Sequence, residues 1–363
     1  MSVKYAKTSE FHRELKNRVA GYFASTGLST RDVPRMYVKS IIIFTWFVTS
    51  YVLLVFVANA WWVAIPLALV LAMSAAAVGM GIQHDGSHGA YSESKLVNRV
   101  AATALDLVGG SSYFWRWKHN VLHHSYTNIA GADDDINVGP LGRLSPEQKR
   151  YWFHRFQHIY MWPLYGLVVL KWQLVDDFVE LAAGRVGTRT VPRPAGLDLL
   201  ILIGGKVVFV LIAFVIPTMV HPFWLVAVFY CLTAITIGVV LGIVFQMAHC
   251  VEEAEFPAPV GESNRMEHDW AAHQASSTVD FARHNKLLTW FVGGLNFQIE
   301  HHLFPKVCHL HYPKLSPIVE SVCSKFGVSY HAHPTIASAL TSHYNWLRRM
   351  GLPERAHATP GNM

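Results

Sequence analysis

Four long apolar runs constrain the fold of this chain more than any other feature of its sequence. The runs are Ile41–Ala58, Trp61–Ile82, Leu199–Ile216 and Phe223–Met247. Each is long enough to cross the roughly 30 Å hydrocarbon core of a bilayer at about 1.5 Å per helical residue. Short connections join the first run to the second and the third to the fourth. The sequence therefore predicts four transmembrane helices arranged as two hairpins.

Composition and charge support a multi-pass membrane protein and predict its orientation. The chain is 52% hydrophobic and 15% charged, whereas soluble proteins carry roughly 25% charged residues. Lys and Arg flank the open ends of both hairpins but not their tips, which predicts cytosolic termini. The expected order is a cytosolic or interfacial segment 1–38, a transmembrane hairpin 39–83, the first part of a cytosolic helical cap 84–198, a second hairpin 199–248 and the second part of the cap 249–363.

The charged and sulfur-containing residues exclude several other classes of protein. The net charge is +6, but no basic stretch is interleaved with stacking aromatics, so we expect no nucleic-acid partner. A basic face toward anionic membrane lipid is the better interpretation. The four cysteines form no Cys-x-x-Cys pair, so neither a disulfide framework nor an iron–sulfur module is indicated. Lys206 lies inside the third run, where a charge costs roughly 2.5–3.5 kcal/mol, and the sequence does not explain it.

Three histidine clusters follow the apolar runs, all on the predicted cytosolic side. Box 1 is His84–His88, box 2 is His119–His124 and box 3 is Gln298–His302. Polar side chains three or four residues apart lie on one face of a helix. Neutral imidazole is the commonest protein ligand for a transition metal, and one tetrahedral zinc uses only four ligands. Seven histidines and one glutamine therefore predict a site with two metals.

A shared metal site also limits the number of membrane crossings. The stretches Tyr160–Leu170 and Leu287–Phe297 are apolar but short, at a length typical of interfacial or core helices. If Tyr160–Leu170 crossed the bilayer, box 3 would lie a membrane thickness away from boxes 1 and 2. A common site for the three boxes therefore predicts four spans, with His249 at the cytosolic end of the fourth.

With these boxes, the chain resembles the membrane-bound fatty acid desaturases over about residues 40–351. It is similar to the front-end subgroup, in which the first histidine of box 3 is a glutamine, here Gln298 within Leu295–Pro305. The segment His123–Asn128 and the tail Ser342–Gly351 also resemble the family. Bacterial members of this type are often described as linoleoyl-CoA or acyl-CoA desaturases.

The resemblance implies an all-α membrane protein whose cytosolic cap holds two iron ions. The residues that match the metal ligands of the family are His84, His88, His119, His123, His124, His249, Gln298, His301 and His302. Relatives also carry an asparagine four residues before the histidine that follows the fourth span. Here that position is Phe245, with Gln246 beside it. Each ligating histidine needs an orienting partner, and the candidates are Asp85, Asp106, Asp133, Asp134, Asp135 and Glu300.

The resemblance further implies an O2-dependent oxidoreductase that introduces a cis double bond into a long-chain fatty acyl group, with O2 reduced to water. The acyl group is expected as a CoA thioester or bound in a lipid, and the new bond at Δ5 or Δ6. No His-Pro-Gly-Gly haem-domain signature occurs in these residues. We therefore expect a separate ferredoxin or cytochrome b5-type electron donor with its reductase, and a bacterial plasma membrane as the location.

Three alternatives stay open at the level of sequence. The same di-iron scaffold resembles fatty acyl and lipid hydroxylases, which differ in the fate of the carbon radical. A haem-binding or metal-transporting membrane protein would also be rich in histidine, although it needs ligands or ionisable groups within the spans. A lipid-binding scaffold with a structural zinc would leave most of the histidines without a role.

Overall fold

The computed structural model describes residues 3–260 and 264–353. Most of this part of the chain is helical, and four of its helices are long and apolar enough to cross a membrane. These candidate spans 1 to 4 are Pro34–Val57, Trp61–His88, Leu197–Thr218 and Phe223–His249. They contain the four apolar runs of the sequence with only small shifts at the ends, so the prediction of four membrane helices is confirmed.

The other described helices surround the spans. The α-helices are α1 (Glu10–Thr26), α2 (Lys95–Ala102), α3 (Ala104–Leu107), α4 (Ser112–Trp115), α5 (His124–Tyr126), α6 (Gln157–Lys171), α7 (Asp177–Ala183), α8 (Trp270–Ser276), α9 (Lys286–Phe291), α10 (Gln298–Leu303), α11 (Tyr312–Phe326) and α12 (Ile336–Gly351). Single 3₁₀ turns cover Gly139–Leu141, Trp152–Phe156 and His309–His311. Two small sheets pair β1 (Arg185–Val186) antiparallel with β2 (Arg189–Thr190), and β3 (Val279–Phe281) parallel with β4 (His331–His333).

In the described residues, five π-helical segments interrupt the regular α-helical geometry. They are Leu53–Val57, Gly79–Gln83, Arg116–His123, Trp172–Asp176 and Leu211–Val215. A π turn holds one more residue than an α turn, and such segments occur frequently at functional sites. The segment Gly79–Gln83 ends immediately before box 1, and Arg116–His123 contains most of box 2. The spacing of the box 2 side chains therefore differs from the α-helical spacing that the sequence suggested.

The short apolar stretch Tyr160–Leu170 lies in α6, which packs along span 4. Gly166 and Gly238 meet at this contact, and a Cβ atom at Gly238 would lie 2.6 Å from the carbonyl oxygen of Gly166. Because neither position has room for a side chain, the two helices approach closely. The stretch Leu287–Phe297 is not one helix, since α9 ends at Phe291 and two glycines with positive φ follow.

The N-terminal segment forms part of the cap. Helix α1 buries Phe11, Leu15 and Val19 against α8, α10 and α11. The hydroxyl of Tyr5 donates to the carbonyl of Ser125, which follows box 2, at 2.7 Å. The N-terminal segment thus contacts the elements that carry boxes 2 and 3.

Lys206 has a structural explanation that the sequence did not supply. Its ammonium group donates to the carboxylate of Asp177 at 2.6 Å and to the carbonyls of Gly109 and Gln173. The side chains of Lys206 and Asp177 are 13% and 1% exposed. The charge in span 3 is therefore neutralised by cap residues that pack against that span.

Candidate metal centre

The end of span 2 positions box 1. The π-helical segment Gly79–Gln83 continues directly into the short helix His84–His88. At the centre of this helix, a Cβ atom on Gly86 would lie 2.6 Å from the backbone nitrogen of Ala102. Glycine therefore allows α2 to pack against box 1 and to bury its first histidine.

Box 3 reaches box 1 through a glycine turn. Gly293 has φ +64° and lies so close to the carbonyl of Met80, in span 2, that any side chain would overlap it. Helix α10 begins shortly afterwards at Gln298 and carries His301 and His302, both buried. The close approach of these two backbones brings the third box beside the first.

The structure brings all eight histidines of the predicted ligand set together. The imidazole rings of His84 and His301 have centroids 4.4 Å apart, and those of His123 and His249 lie 4.6 Å apart. The ligand atoms form overlapping groups in which they lie within 4.8 Å of one another. These groups are His84, His88, His119 and His301; His123, His249 and His302; and His124, His301 and His302. Two neighbouring ligand groups with a bridging third match a site for two metals.

The free nitrogen atoms of these rings fit metal ions. Buried imidazole nitrogens without a hydrogen-bond partner occur throughout the cluster: His88 Nε2, His123 Nε2, His124 Nδ1, both nitrogens of His249, His301 Nε2 and His302 Nε2. Buried polar atoms are normally hydrogen-bonded, so a group of exceptions needs an explanation. Imidazole nitrogen suits iron, zinc and copper, and the residues present fit such ions.

Burial keeps most of these histidines in the neutral form that a metal requires. It lowers the pKa of His119, His124, His301 and His302 well below the ordinary value, and the neighbouring histidines lower it further. His123 differs, because burial lowers its pKa but the carboxylates of Asp133 and Asp135 together outweigh that effect and raise it.

Two of the six candidate orienting carboxylates contact ligand histidines. Asp133 accepts from His123 Nδ1 at 3.0 Å, and Asp135 lies 3.5 Å from His119 Nδ1. A carboxylate on one imidazole nitrogen directs the other nitrogen toward a metal. The remaining four candidates have other partners: Asp85 binds His309, Asp106 accepts from Ser112, Asp134 pairs with Lys118 and Glu300 accepts from Tyr330.

Asp85 belongs to a buried polar chain beside box 1. Its carboxylate accepts from His309 Nδ1 at 2.8 Å, and the other ring nitrogen of His309 lies 2.8 Å from the ammonium group of Lys39. Asp85, Cys308 and His309 lie close enough for a metal site. Both ring nitrogens of His309 already have hydrogen-bonding partners, and one of these partners is a lysine. We therefore interpret this group as a structural hydrogen-bond network that connects span 1, box 1 and the turn after box 3.

Comparison with known proteins identifies the family. Residues 60–334 match the family model described as fatty acid desaturase. The chain is 39% identical over 351 residues to the sn-1 linoleoyl-lipid 6-desaturase of Arthrospira platensis, covering 96% of this chain and 95% of that protein. This protein belongs to the fatty acid desaturase family. It is a membrane oxidoreductase that desaturates fatty acids.

Other relatives of this desaturase show the same relationship. An enzyme of the same description from Synechocystis sp. is 39% identical and covers 96% of this chain and 98% of its own length. The acyl-lipid (8-3)-desaturase of Physcomitrium patens is 38% identical and covers 96% of this chain and 73% of its own. The names of these relatives specify acyl groups bound in lipids. They therefore do not support the expectation of a linoleoyl-CoA or acyl-CoA substrate. Family membership also removes the haem, transporter and zinc-scaffold alternatives.

The two glutamines near the histidines of this desaturase differ in their surroundings. Gln298 lies one helical turn before His301 and His302, is 1% exposed, and has no hydrogen-bond partner for either amide atom. Gln246 is half-buried, and its side-chain oxygen is also without a partner. The ring centroids of Phe245 and His119 lie 6.0 Å apart. An apolar ring therefore lies at the position for which the resemblance implied asparagine.

Several side chains contact the histidines of this desaturase but were not predicted from its sequence. Gln274 binds His302 Nδ1 at 2.7 Å, and the hydroxyl of Tyr312 lies 3.3 Å from His301 Nδ1. Trp115 stacks on His119 at 4.7 Å. Each partner lies outside the boxes, and a single glutamine, tyrosine or tryptophan has no spacing that would have indicated it.

Proposed function

We propose that this protein is a front-end acyl-lipid desaturase with a di-iron centre. The observation that carries the proposal is the convergence of eight buried histidines into overlapping ligand groups with free nitrogen atoms. The relatives described as lipid 6-desaturases and (8-3)-desaturases support a lipid-bound substrate and a new cis bond at Δ6 or Δ5. A separate ferredoxin or cytochrome b5-type protein with its reductase supplies the electrons in this proposal.

In this proposal, two groups of histidines each bind one iron ion. His84, His88, His119 and His301 hold one ion, His123, His249 and His302 hold the second, and His124 lies between them. Bound iron supplies, with O2, the oxidising power that removes hydrogen from an unactivated methylene. Asp133 and Asp135 orient the box 2 rings, and burial of the cluster excludes water. We also propose that residues 84–198 and 249–363 lie in the cytosol with both termini.

An apolar cavity between the four spans is the proposed site for the distal part of the acyl chain. Residues from all four spans line it, and Leu107, Val108 and Gln173 of the cap close one end. The hydroxyl groups of Tyr51 and Tyr230 and the side chains of Gln173 and His221 all bind protein atoms. With these polar groups satisfied, the wall offers mainly apolar contacts, which suit an alkyl chain.

Span 2 offers a path from this cavity to box 1. Ala75 lines the cavity, Gly79 lies one turn beyond it, and Gln83 follows one turn later, next to His84. A Cβ atom on Gly79 would meet no atom within 4 Å. The open space beside Gly79 suits the passage of an acyl chain toward the histidines.

Replacing Gly79 with phenylalanine is therefore expected to obstruct the acyl chain. We expect the Gly79→Phe variant to convert 18-carbon acyl groups at least about 10-fold more slowly, since small changes in an apolar pocket have effects of this size. Its iron content should stay unchanged. Gas chromatography of membrane fatty acids measures the conversion, and elemental analysis measures the iron.

Gly204 provides the matched control for this substitution. It lies in span 3, is exposed, and its Cβ would likewise meet no atom within 4 Å. The Gly204→Phe variant should retain wild-type conversion. Equal conversion by both variants would contradict the proposed path along span 2.

The proposed reaction is tested by expression in a bacterial host that is fed linoleate. We expect a new cis double bond at Δ6 or Δ5 in the host lipids when ferredoxin and its reductase, or a cytochrome b5-type donor, are co-expressed. Mass spectrometry of separated lipid and CoA fractions gives the bond position and the carrier. A hydroxylated product, or a product that forms first in the CoA fraction, would contradict the proposed function.

A further inference from the structure

We propose that Gln274 is a positioning residue that fixes the protonation form of His302. This inference rests on the proposed metal centre and extends it to a residue outside the boxes. Gln274 lies in α8, is fully buried at 0% exposure, and its side-chain oxygen accepts from His302 Nδ1 at 2.7 Å. The same oxygen lies 2.9 Å from the hydroxyl of Thr127.

The contact determines which nitrogen of His302 is free to bind a metal. A neutral imidazole carries one proton, so the nitrogen that donates to Gln274 leaves the other as an electron-pair donor. That other atom, His302 Nε2, is buried without a hydrogen-bond partner and belongs to the group formed with His123 and His249. The amide oxygen of Gln274 therefore keeps His302 in the form that ligates a metal through Nε2.

The hydroxyl of Thr127 lies beside the Gln274 amide. Thr127 lies three residues after box 2, and its single hydroxyl proton can be donated either to the carbonyl of His123 at 2.7 Å or to the Gln274 oxygen at 2.9 Å. A reversed amide would present its NH2 group to His302 Nδ1. The imidazole proton would then move to Nε2 and block the ligating atom. The amide orientation in the structure, with the Gln274 oxygen toward His302 Nδ1, is thus the one that leaves Nε2 free.

The three histidines of this group have partners of different charge. His123 faces the carboxylate of Asp133, His302 faces the neutral amide of Gln274, and neither ring nitrogen of His249 has a partner in the part of the chain that the structure describes. A carboxylate raises the basicity of a ligating imidazole more than an amide does. Glutamine at position 274 therefore adds no further negative charge to those of Asp133 and Asp135, which both lie beside His123.

The experiment compares Gln274→Leu and Gln274→Glu in the purified, iron-loaded full-length enzyme. Leucine removes the acceptor, so one of the two irons should be lost at a chelator concentration about 10–100-fold lower than in the wild type. Glutamate keeps an acceptor in the same place. It should restore binding of both irons while changing the Mössbauer spectrum of one, because the imidazole of His302 becomes a stronger donor.

Gln157→Leu is the matched control for a purely structural effect. The side chain of Gln157 is also fully buried, but its NH2 group donates to the carbonyls of Arg143 and Leu347 and not to a histidine. This variant should hold both irons as firmly as the wild type, even if its melting temperature falls.

The outcomes separate this inference from the proposed metal centre. Wild-type enzyme that binds no iron would refute the di-iron proposal itself. Wild-type enzyme with two irons, together with wild-type iron retention in Gln274→Leu or an unchanged spectrum in Gln274→Glu, would overturn only the role of Gln274. Should Gln274→Leu fail to fold, the spectrum of Gln274→Glu still decides.

Discussion

Substitution of His301 with alanine is expected to abolish double-bond formation. The ring of His301 lies within 5 Å, centroid to centroid, of those of His84, His88 and His124, and its Nε2 atom is buried without a partner. It belongs to two of the ligand groups, one with His84, His88 and His119 and one with His124 and His302. Loss of an orienting partner alone costs about 10–100-fold in activity or metal affinity, so loss of this ligand should cost more than about 100-fold.

Two measurements on the same expression strain test this expectation. Fatty-acid profiling should show no new double bond in the His301→Ala strain, and the purified variant should contain less iron than the wild type. His284→Ala is the control, because His284 is exposed and lies in the turn between β3 and α9. It should retain activity and iron. Full activity in His301→Ala would rule out the assignment of His301 as a ligand.

Replacement of Lys206 with methionine is expected to lower the free energy of unfolding more than any other substitution proposed for this protein. Methionine leaves the carboxylate of Asp177, which is 1% exposed, without the ammonium group that contacts it at 2.6 Å. Removing one partner of a buried ion pair costs about 3–5 kcal/mol. Thermal unfolding in detergent, followed by circular dichroism or tryptophan fluorescence, measures the loss.

The loss should depend on pH in a defined direction. Burial raises the pKa of Asp177 more than Lys206 lowers it. Without Lys206 that pKa rises further, and protonation of Asp177 removes the unpaired charge. The defect of Lys206→Met should therefore be smallest at low pH and should grow as the pH rises and Asp177 ionises. A defect that is larger at pH 5 than at pH 8 would contradict this explanation.

Two further variants isolate the ion pair. Lys171→Met removes the partner of Asp176 from a pair whose lysine side chain is 66% exposed, and exposed pairs contribute about 0–1 kcal/mol. It should change stability little. In the double variant with Lys206→Met and Asp177→Leu, both charges are absent and much of the lost stability should return. A double variant as unstable as Lys206→Met alone would show that the pair is not the cause.

The histidine boxes show how far short-range sequence patterns reach. Their residue types and spacing predicted seven histidines and Gln298 as candidate ligands, the family resemblance added His249, and the structure brings the eight histidines together. The three- and four-residue spacing within the boxes predicted an α-helix, whereas the segment Arg116–His123 is π-helical. The wider turn brings His119 and His124, five residues apart, to 3.3 Å between their Nε2 atoms. Propensity does not distinguish the two helix types, because the choice depends on packing around the turn.

The sequence by itself determined the four candidate membrane helices, the family and the histidines that come together in the fold. These depend on local composition or on motifs of a few residues, which are present before the chain folds. The tertiary structure alone decided that Asp133 and not Glu300 contacts a histidine of the boxes, that Gln274 contacts His302, and that Asp177 neutralises Lys206. Such pairs are separated by up to 29 residues, and no periodic pattern connects their members. Only the packing of the spans against the cap brings them within hydrogen-bonding distance.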